Sequence, residues 1–153
     1  MHNWKLVFVY LVGAIVTSTT YADVRQEAVE RVNKAVEVLA QQGPAALELI
    51  GQQNGPYHQG ENYVFVYDRD VVIRAHPAKP VLVGRSYAGK PDVKGFKFRD
   101  AIVQNTLKDG ESWTDYHYQK PGESGVHEKT TYCKKAAAEE QTLVVCSGVY
   151  AGK

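Results

Sequence analysis

The sequence predicts an α+β fold: an antiparallel sheet of about five strands, a long N-terminal helix, and helices that cover one face of the sheet. Three observations predict it. Residues 23–42 have helical periodicity, five later segments have the composition of strands, and tight turns join the last three of these segments. At 153 residues, the chain is long enough for one such domain.

Residues 1–22 have the composition of a signal peptide. They combine the positively charged Lys5, an apolar run of 11 residues over 6–16, and a Thr-Tyr-Ala end that matches a small-x-Ala cleavage site. The apolar run is shorter than the roughly 20 residues that span a bilayer, and no later segment is longer. We therefore expect cleavage after Ala22, which leaves residues 23–153 as a single soluble domain in the periplasm.

The charge balance argues against two classes of partner. Removal of residues 1–22 takes away Lys5 and no acidic residue, so 17 basic residues face 17 acidic ones. A net charge of zero gives no electrostatic reason to expect binding to nucleic acid or to an anionic membrane surface.

The first predicted helix covers residues 23–42. Apolar residues recur every three to four positions, with charged residues between them, and Asp23 is the expected N-cap. The pair Gly43-Pro44 ends this helix and begins a shorter one, in which Leu47 and Ile50 point inward. The run NGPYHQG that follows is predicted to be a loop.

The strands follow in two groups. The segments 63–67 and 71–76 form a hairpin that Pro77 ends, because proline cannot donate a backbone hydrogen bond. A helix over 95–108 comes next, and Asp109-Gly110 ends it. Three further strands complete the predicted sheet, at residues 113–118, 126–135 and 143–150.

Both cysteines lie in the last predicted hairpin. A turn at Glu139-Glu140 places Cys133 opposite Cys146 on neighbouring strands, which is close enough for a disulfide. Export favours a disulfide, and a loop this short gives about 3 kcal/mol of stabilisation. A redox or metal-binding role is the alternative.

No catalytic motif is found in the sequence. The nucleophile-elbow, zincin, P-loop and dinucleotide patterns are all missing, and the cysteines are not in a C-x-x-C context. The four histidines after residue 22 have no metal-ligand spacing (His58, His76, His117 and His127). We therefore expect no enzymatic activity, no cofactor and no metal, and a hydrolase or metal-dependent enzyme rests on no motif.

Tyrosine and tryptophan are frequent on the predicted strands, and cations accompany them. Arg74 and His76 end one strand and Lys129 begins another. Such a pocket suits a small carboxylate, whose oxygens accept hydrogen bonds while its carbon stub meets the rings. For Tyr63, Tyr67 and Tyr150 ordinary core packing is the preferred interpretation, and for Tyr116 and Tyr118 it is the alternative. Tyr116 and Tyr118 have the same strand parity, whereas Trp113 has the opposite parity and favours a core position unless a bulge intervenes.

Several motifs together resemble the single Cache domains of the second type over residues 24–150. They are YVFVYDRD, AHP, a W-x-x-Y strand, a K-x-x-Y strand and a closing SGVY. The resemblance implies a PAS-like sheet and an extracytoplasmic sensor that binds small ligands. Its motif positions correspond here to His76, Trp113, Tyr116, Lys129 and Tyr132. The turn at residues 68–71 departs from the usual D-x-D-G, and the two cysteines are an addition.

The leading hypothesis is a soluble periplasmic Cache protein that binds a small organic acid without converting it. His76 and Lys129 are assigned to the carboxylate, Tyr116 and Tyr132 to hydrogen bonds, and Trp113 to the apolar wall. The resemblance also leads us to expect a membrane partner, because the sequence shows no receptor-type transmembrane helix. The alternative function is an interaction module that acts with a membrane sensor kinase or chemoreceptor and has no ligand of its own.

Overall fold

The computed structural model describes residues 20–151. The predicted signal peptide therefore lies almost wholly outside the described residues, and the first helix already begins at Tyr21. Within residues 20–151, none of the helices is long and apolar enough to cross a bilayer.

The long N-terminal helix, α1, spans Tyr21–Gln42. Its N-cap is Thr20, so the prediction that Asp23 caps the helix is wrong. Asp23 is instead the third residue of the helix and completes a capping box with Thr20: its amide donates to Thr20 Oγ1 at 3.2 Å, and its carboxylate accepts from the Thr20 amide at 2.8 Å. The helix ends at Gly43, which has a positive φ of 63° and donates its amide to the Leu39 carbonyl.

A short 3₁₀ turn, Gly43–Ala45, and the helix α2, Ala46–Ile50, follow α1 as predicted. The remaining elements are β1 (His58–Gln59), β2 (Asn62–Asp68), β3 (Ile73–Ala75), a 3₁₀ turn (Pro80–Leu82), α3 (Phe98–Asp109), β4 (Glu111–Gln119), β5 (Val126–Ala138) and β6 (Gln141–Tyr150). All five predicted strands are present. The sixth, β1, lies in the segment that was predicted to be a loop.

The strands form one antiparallel sheet in the order β1-β2-β6-β5-β4, and β3 pairs with β2. The strand β3 is shorter than predicted, because Val71 has a positive φ of 59° and does not continue the ladder. The carboxylate of Asp68 closes this turn by accepting hydrogen bonds from the amides of Asp70 and Val72, at 2.9 and 3.0 Å.

Each face of the sheet has its own core. On the face that we call the α1 face, alternate strand residues such as Val64, Val66 and Val145 pack against α1. On the opposite face, the α3 face, the other set packs against Phe98 and Ile102 of α3. The expectation that helices cover one face is therefore corrected, since α1 and α3 cover opposite faces and the aromatic residues of β2 lie under α3.

The predicted disulfide is present between Cys133 and Cys146, with an S–S distance of 2.08 Å. The two residues are directly paired across β5 and β6, their Cα atoms are 4.2 Å apart, and the two-residue turn is at Glu139-Glu140 as predicted. The bridge lies in the core beneath α3 and fixes the register of the two strands.

Candidate functional site

A small cavity of about 10 Å³ lies on the α3 face. That volume is about the space of one water molecule. Alternation along β2 and β4 sends one set of side chains to this face, and Lys129 joins them because it is paired with Tyr116 in the β4–β5 register. The cavity is lined by Tyr63, Phe65, Tyr67, Ile73, His76, Phe98, Tyr116, Tyr118 and Lys129.

The lining includes one buried cation, Lys129, which is 2% exposed. Its Nζ donates a hydrogen bond to the Tyr63 hydroxyl at 2.9 Å and lies 4.5 Å from the centre of that ring. No carboxylate in the described part of the chain forms an ion pair with it. Burial, with a smaller effect from the charge of Lys79, lowers the pKa of Lys129 from 10.5 to about 7.

The stem of Lys129 lies against Gly148 of β6. A Cβ atom at position 148 would overlap the Cε of Lys129 and lie 2.5 Å from Thr131 Oγ1. Both neighbours would have to shift to admit a side chain, so glycine serves close approach here and not backbone freedom. Gly148 therefore leaves the space that the Lys129 side chain occupies on its way to the Tyr63 hydroxyl.

His76 is 4% exposed and lies between aromatic rings, with its centroid 5.1 Å from Tyr63 and 5.7 Å from Phe65. Its Nδ1 accepts a hydrogen bond from the Lys79 amide at 3.1 Å, so the neutral ring carries its proton on Nε2. Burial, together with the charges of Lys129 and Lys79, lowers the pKa of His76 to about 3. His76 is therefore neutral near pH 7, and its Nε2–H is available to donate a hydrogen bond.

Tyr116 is buried and held from two sides. Its ring stacks on Phe98 at 4.0 Å with a 7° tilt, and its hydroxyl shares a hydrogen bond with Thr131 Oγ1 at 2.9 Å. Burial raises the pKa of Tyr116 well above its usual value, so the hydroxyl stays protonated.

Trp113 and Tyr132 are not part of this cavity. The register from Glu111 to Gln119 is continuous, so Trp113 lies on the α1 face, as its parity predicted in the absence of a bulge. Its ring is 5.3 Å from that of Tyr132, whose hydroxyl donates to Glu111 Oε2 at 2.7 Å. The grouping of five residues into one pocket is therefore corrected: the structure brings together His76, Tyr116 and Lys129 and leaves out the other two.

Several lining residues had been interpreted as ordinary packing, among them Tyr63 and Tyr67. The signal for them is the alternation of aromatic residues along β2, which places Tyr63, Phe65 and Tyr67 on one face. Arg74, noted with His76 at the end of the predicted strand over 71–76, does not line the cavity. It pairs with Asp68 at 3.4 Å.

A larger surface groove, about 420 Å³, runs along the outer ends of β4 and β5. Two of its acidic side chains already have partners: Asp92 accepts from the His117 amide at 3.1 Å, and the His117 ring lies 3.6 Å from Asp92 and 3.9 Å from Glu128. Tyr116 and Lys129 line both the groove and the smaller cavity. The smaller cavity has the stronger claim to be the site, because it also brings His76 and several aromatic rings around Lys129.

Comparisons with known proteins agree with this architecture. The chain matches the family model described as Single Cache domain 2 over residues 16–152. No curated protein sequence matches it. A solved structure described as the periplasmic sensor domain of a chemotaxis protein is 26% identical, with a TM-score of 0.69 over 86% of this chain and 94% of that one.

Two further solved structures share the fold. One was reported for the structural basis of carboxylic acid recognition by a Cache chemosensory domain; it is 24% identical, with a TM-score of 0.68 over 87% of this chain and 99% of that one. The other is a methyl-accepting chemotaxis protein from Vibrio parahaemolyticus RIMD 2210633, 20% identical, with a TM-score of 0.66 over 84% and 90% of the two chains.

Proposed function

We propose that this chain, which belongs to the Single Cache domain 2 family, is a periplasmic sensor domain that binds a small organic carboxylate without converting it. The observation that carries the proposal is the buried Lys129, a cation without a carboxylate partner in the described residues. Buried charges are normally paired, and an anionic ligand supplies the missing partner.

The other polar groups of the cavity suit a carboxylate as well. The ammonium of Lys129 and the Nε2–H of neutral His76 are both donors, and carboxylate oxygens accept from both. Tyr63 and Phe65 surround these donors with ring faces that pack against a short carbon chain. The donors orient the ligand and the rings exclude water, which is how small-molecule sites combine affinity with specificity.

The entrance to the cavity lies at Tyr118. Eight of the nine lining residues are buried and Tyr118 is half-buried, so it forms the outer wall. Because the closed cavity of about 10 Å³ is smaller than any carboxylate, ligand entry requires lining side chains to move, and Tyr118 is the least buried of them. We therefore expect short acids to bind and bulky ones to be rejected.

The experiment is a thermal-shift screen of the oxidised protein against short carboxylates, with amines and neutral amides of the same length as controls. A ligand at 100 times its Kd adds about 2.7 kcal/mol to the free energy of unfolding, which shifts the melting temperature by a few degrees. We expect shifts from carboxylates only. If no carboxylate shifts the melting temperature, or if the matched amides shift it equally, the proposal is wrong.

A further inference from the structure

Three cations surround the ring of Tyr118, and Lys129 is only one of them. Their charged groups lie 4.9 Å (Lys79 Nζ), 5.4 Å (Lys129 Nζ) and 5.7 Å (Arg99 Cζ) from its centroid. Three positive groups therefore lie within 6 Å of the centre of one ring.

Arg99, the second residue of α3, is the least expected of the three. It is 8% exposed, and its Nε is buried without a hydrogen-bond partner. The rings of Phe98 and Tyr87 stack on the guanidinium, with their centroids 4.2 and 4.6 Å from Cζ. Such stacking stabilises the face of the group, and among its in-plane donors the Nε–H is left buried without a partner.

Ion pairing elsewhere in the chain follows a different pattern. Arg74 pairs with Asp68 at 3.4 Å, and Lys120 pairs with both Glu61 and Glu123 at 2.8 Å. Around Tyr118, by contrast, none of the three cations forms an ion pair with a carboxylate of residues 20–151. A single carboxylate bound to Lys129 leaves the buried guanidinium of Arg99 without an anionic partner, which costs free energy.

We propose that Arg99 and Lys79 form a second anion-binding position beside Tyr118, and that the ligand is accordingly a short dicarboxylate. One carboxylate is held by Lys129 and His76, and the other reaches the Nε–H of Arg99 once the half-buried Tyr118 ring turns aside. Lys79, which donates to Gln119 Oε1 at the surface end, adds a second positive charge there. This inference rests on the proposed function and specifies its ligand.

Hydrogen bonding around Arg99 supports the assignment. Burial raises the pKa of Tyr118, and the charge and side-chain hydrogen bond of Arg99 oppose that rise. Since a guanidinium only donates, the Tyr118 oxygen is the acceptor, and its own proton remains available to the ligand. The Nε–H of Arg99 and the Tyr118 hydroxyl are therefore two donors that an anion at this position can use.

The test compares butyrate with succinate, two four-carbon acids that differ by one carboxylate. Isothermal titration at pH 6.5 is carried out on the wild-type chain, on Arg99→Gln and on the control Arg74→Gln, which removes a guanidinium outside the cavity. A charged hydrogen bond contributes enough for about a tenfold preference or more. We expect the wild type and the control to bind succinate at least about tenfold tighter than butyrate, and Arg99→Gln to retain butyrate binding and lose most of that preference.

Two results overturn the inference: equal or tighter binding of butyrate by the wild type, or an unchanged preference in Arg99→Gln. If circular dichroism shows that Arg99→Gln does not fold, the same titrations are made on Lys79→Gln, which replaces a half-buried residue. We expect its preference for succinate over butyrate to fall about threefold. An unchanged preference then refutes the second anion-binding position. A failure of the proposed function looks different, because then neither acid binds the wild type.

Discussion

Replacing Lys129 by methionine separates ligand binding from folding, because the variant keeps most of the side-chain volume and loses the ammonium. Burial, with the charge of Lys79, lowers the pKa of Lys129 from 10.5 to about 7, a difference that corresponds to about 5 kcal/mol. This is the cost of keeping the ammonium charged inside the fold below pH 7. We therefore expect Lys129→Met to be more stable than the wild type by several kcal/mol at pH 7, and to bind no carboxylate.

The same pKa values fix how stability changes with pH. Between pH 7 and 10.5 the unfolded chain holds the Lys129 proton and the folded chain releases it, so the unfolded state binds more protons. Stability of the wild type therefore rises with pH in this window, by about 2 kcal/mol from pH 7 to pH 9 from this group alone. The advantage of Lys129→Met shrinks by the same amount.

The assay is urea denaturation of both proteins at pH 7 and pH 9, with thermal shifts in the presence of carboxylate. Lys120→Met is the matched control: its ammonium pairs with Glu61 and Glu123 at the surface, so we expect no gain in stability and unchanged binding. The reasoning is refuted if Lys129→Met is less stable than the wild type at pH 7, or if it still responds to the carboxylate.

Three further outcomes follow from the same geometry. Gly148→Ala displaces the ammonium of Lys129 and weakens carboxylate binding at least about tenfold in isothermal titration, while its circular dichroism spectrum stays native. An unchanged affinity argues against close approach at this position. Tyr116→Phe weakens binding, whereas Tyr132→Phe on the opposite face leaves the dissociation constant unchanged; equal effects contradict the assignment of faces. Cys133→Ser lowers the free energy of unfolding by about 3 kcal/mol in urea titrations and leaves the ligand preference as it was; a changed preference links the bridge to the site.

The strands and the disulfide register could be predicted from the sequence because both depend on local patterns. Alternation gave the extent of β2, and a two-residue turn at Glu139-Glu140 fixed the pairing of Cys133 with Cys146. The alternation of strand side chains between the two faces of the sheet also explains why Trp113 and Tyr132 lie outside the cavity. In W-x-x-Y and K-x-x-Y the named residues are three apart, and residues three apart on a regular strand point to opposite faces.

Other features depend on contacts between distant segments and could not be derived from the sequence. The neutral state of His76 results from burial, the charges of Lys129 and Lys79, and the Lys79 amide on Nδ1. The need for glycine at position 148 depends on the path of the Lys129 side chain across β6. The placement of α3 opposite α1 depends on which strand face each helix packs against, and a helical period alone does not contain that information.

The central claim is that the charged form of Lys129 meets the carboxylate, and proton uptake measures this directly. With a pKa of about 7, Lys129 is about 90% neutral at pH 8 in the free protein, so binding that needs the ammonium takes up about 0.9 proton. Isothermal titration of the tightest carboxylate in two buffers with different ionisation enthalpies gives this number. The account predicts uptake near 0.9 at pH 8 and about 0.1 at pH 6; binding without proton uptake at pH 8 contradicts it.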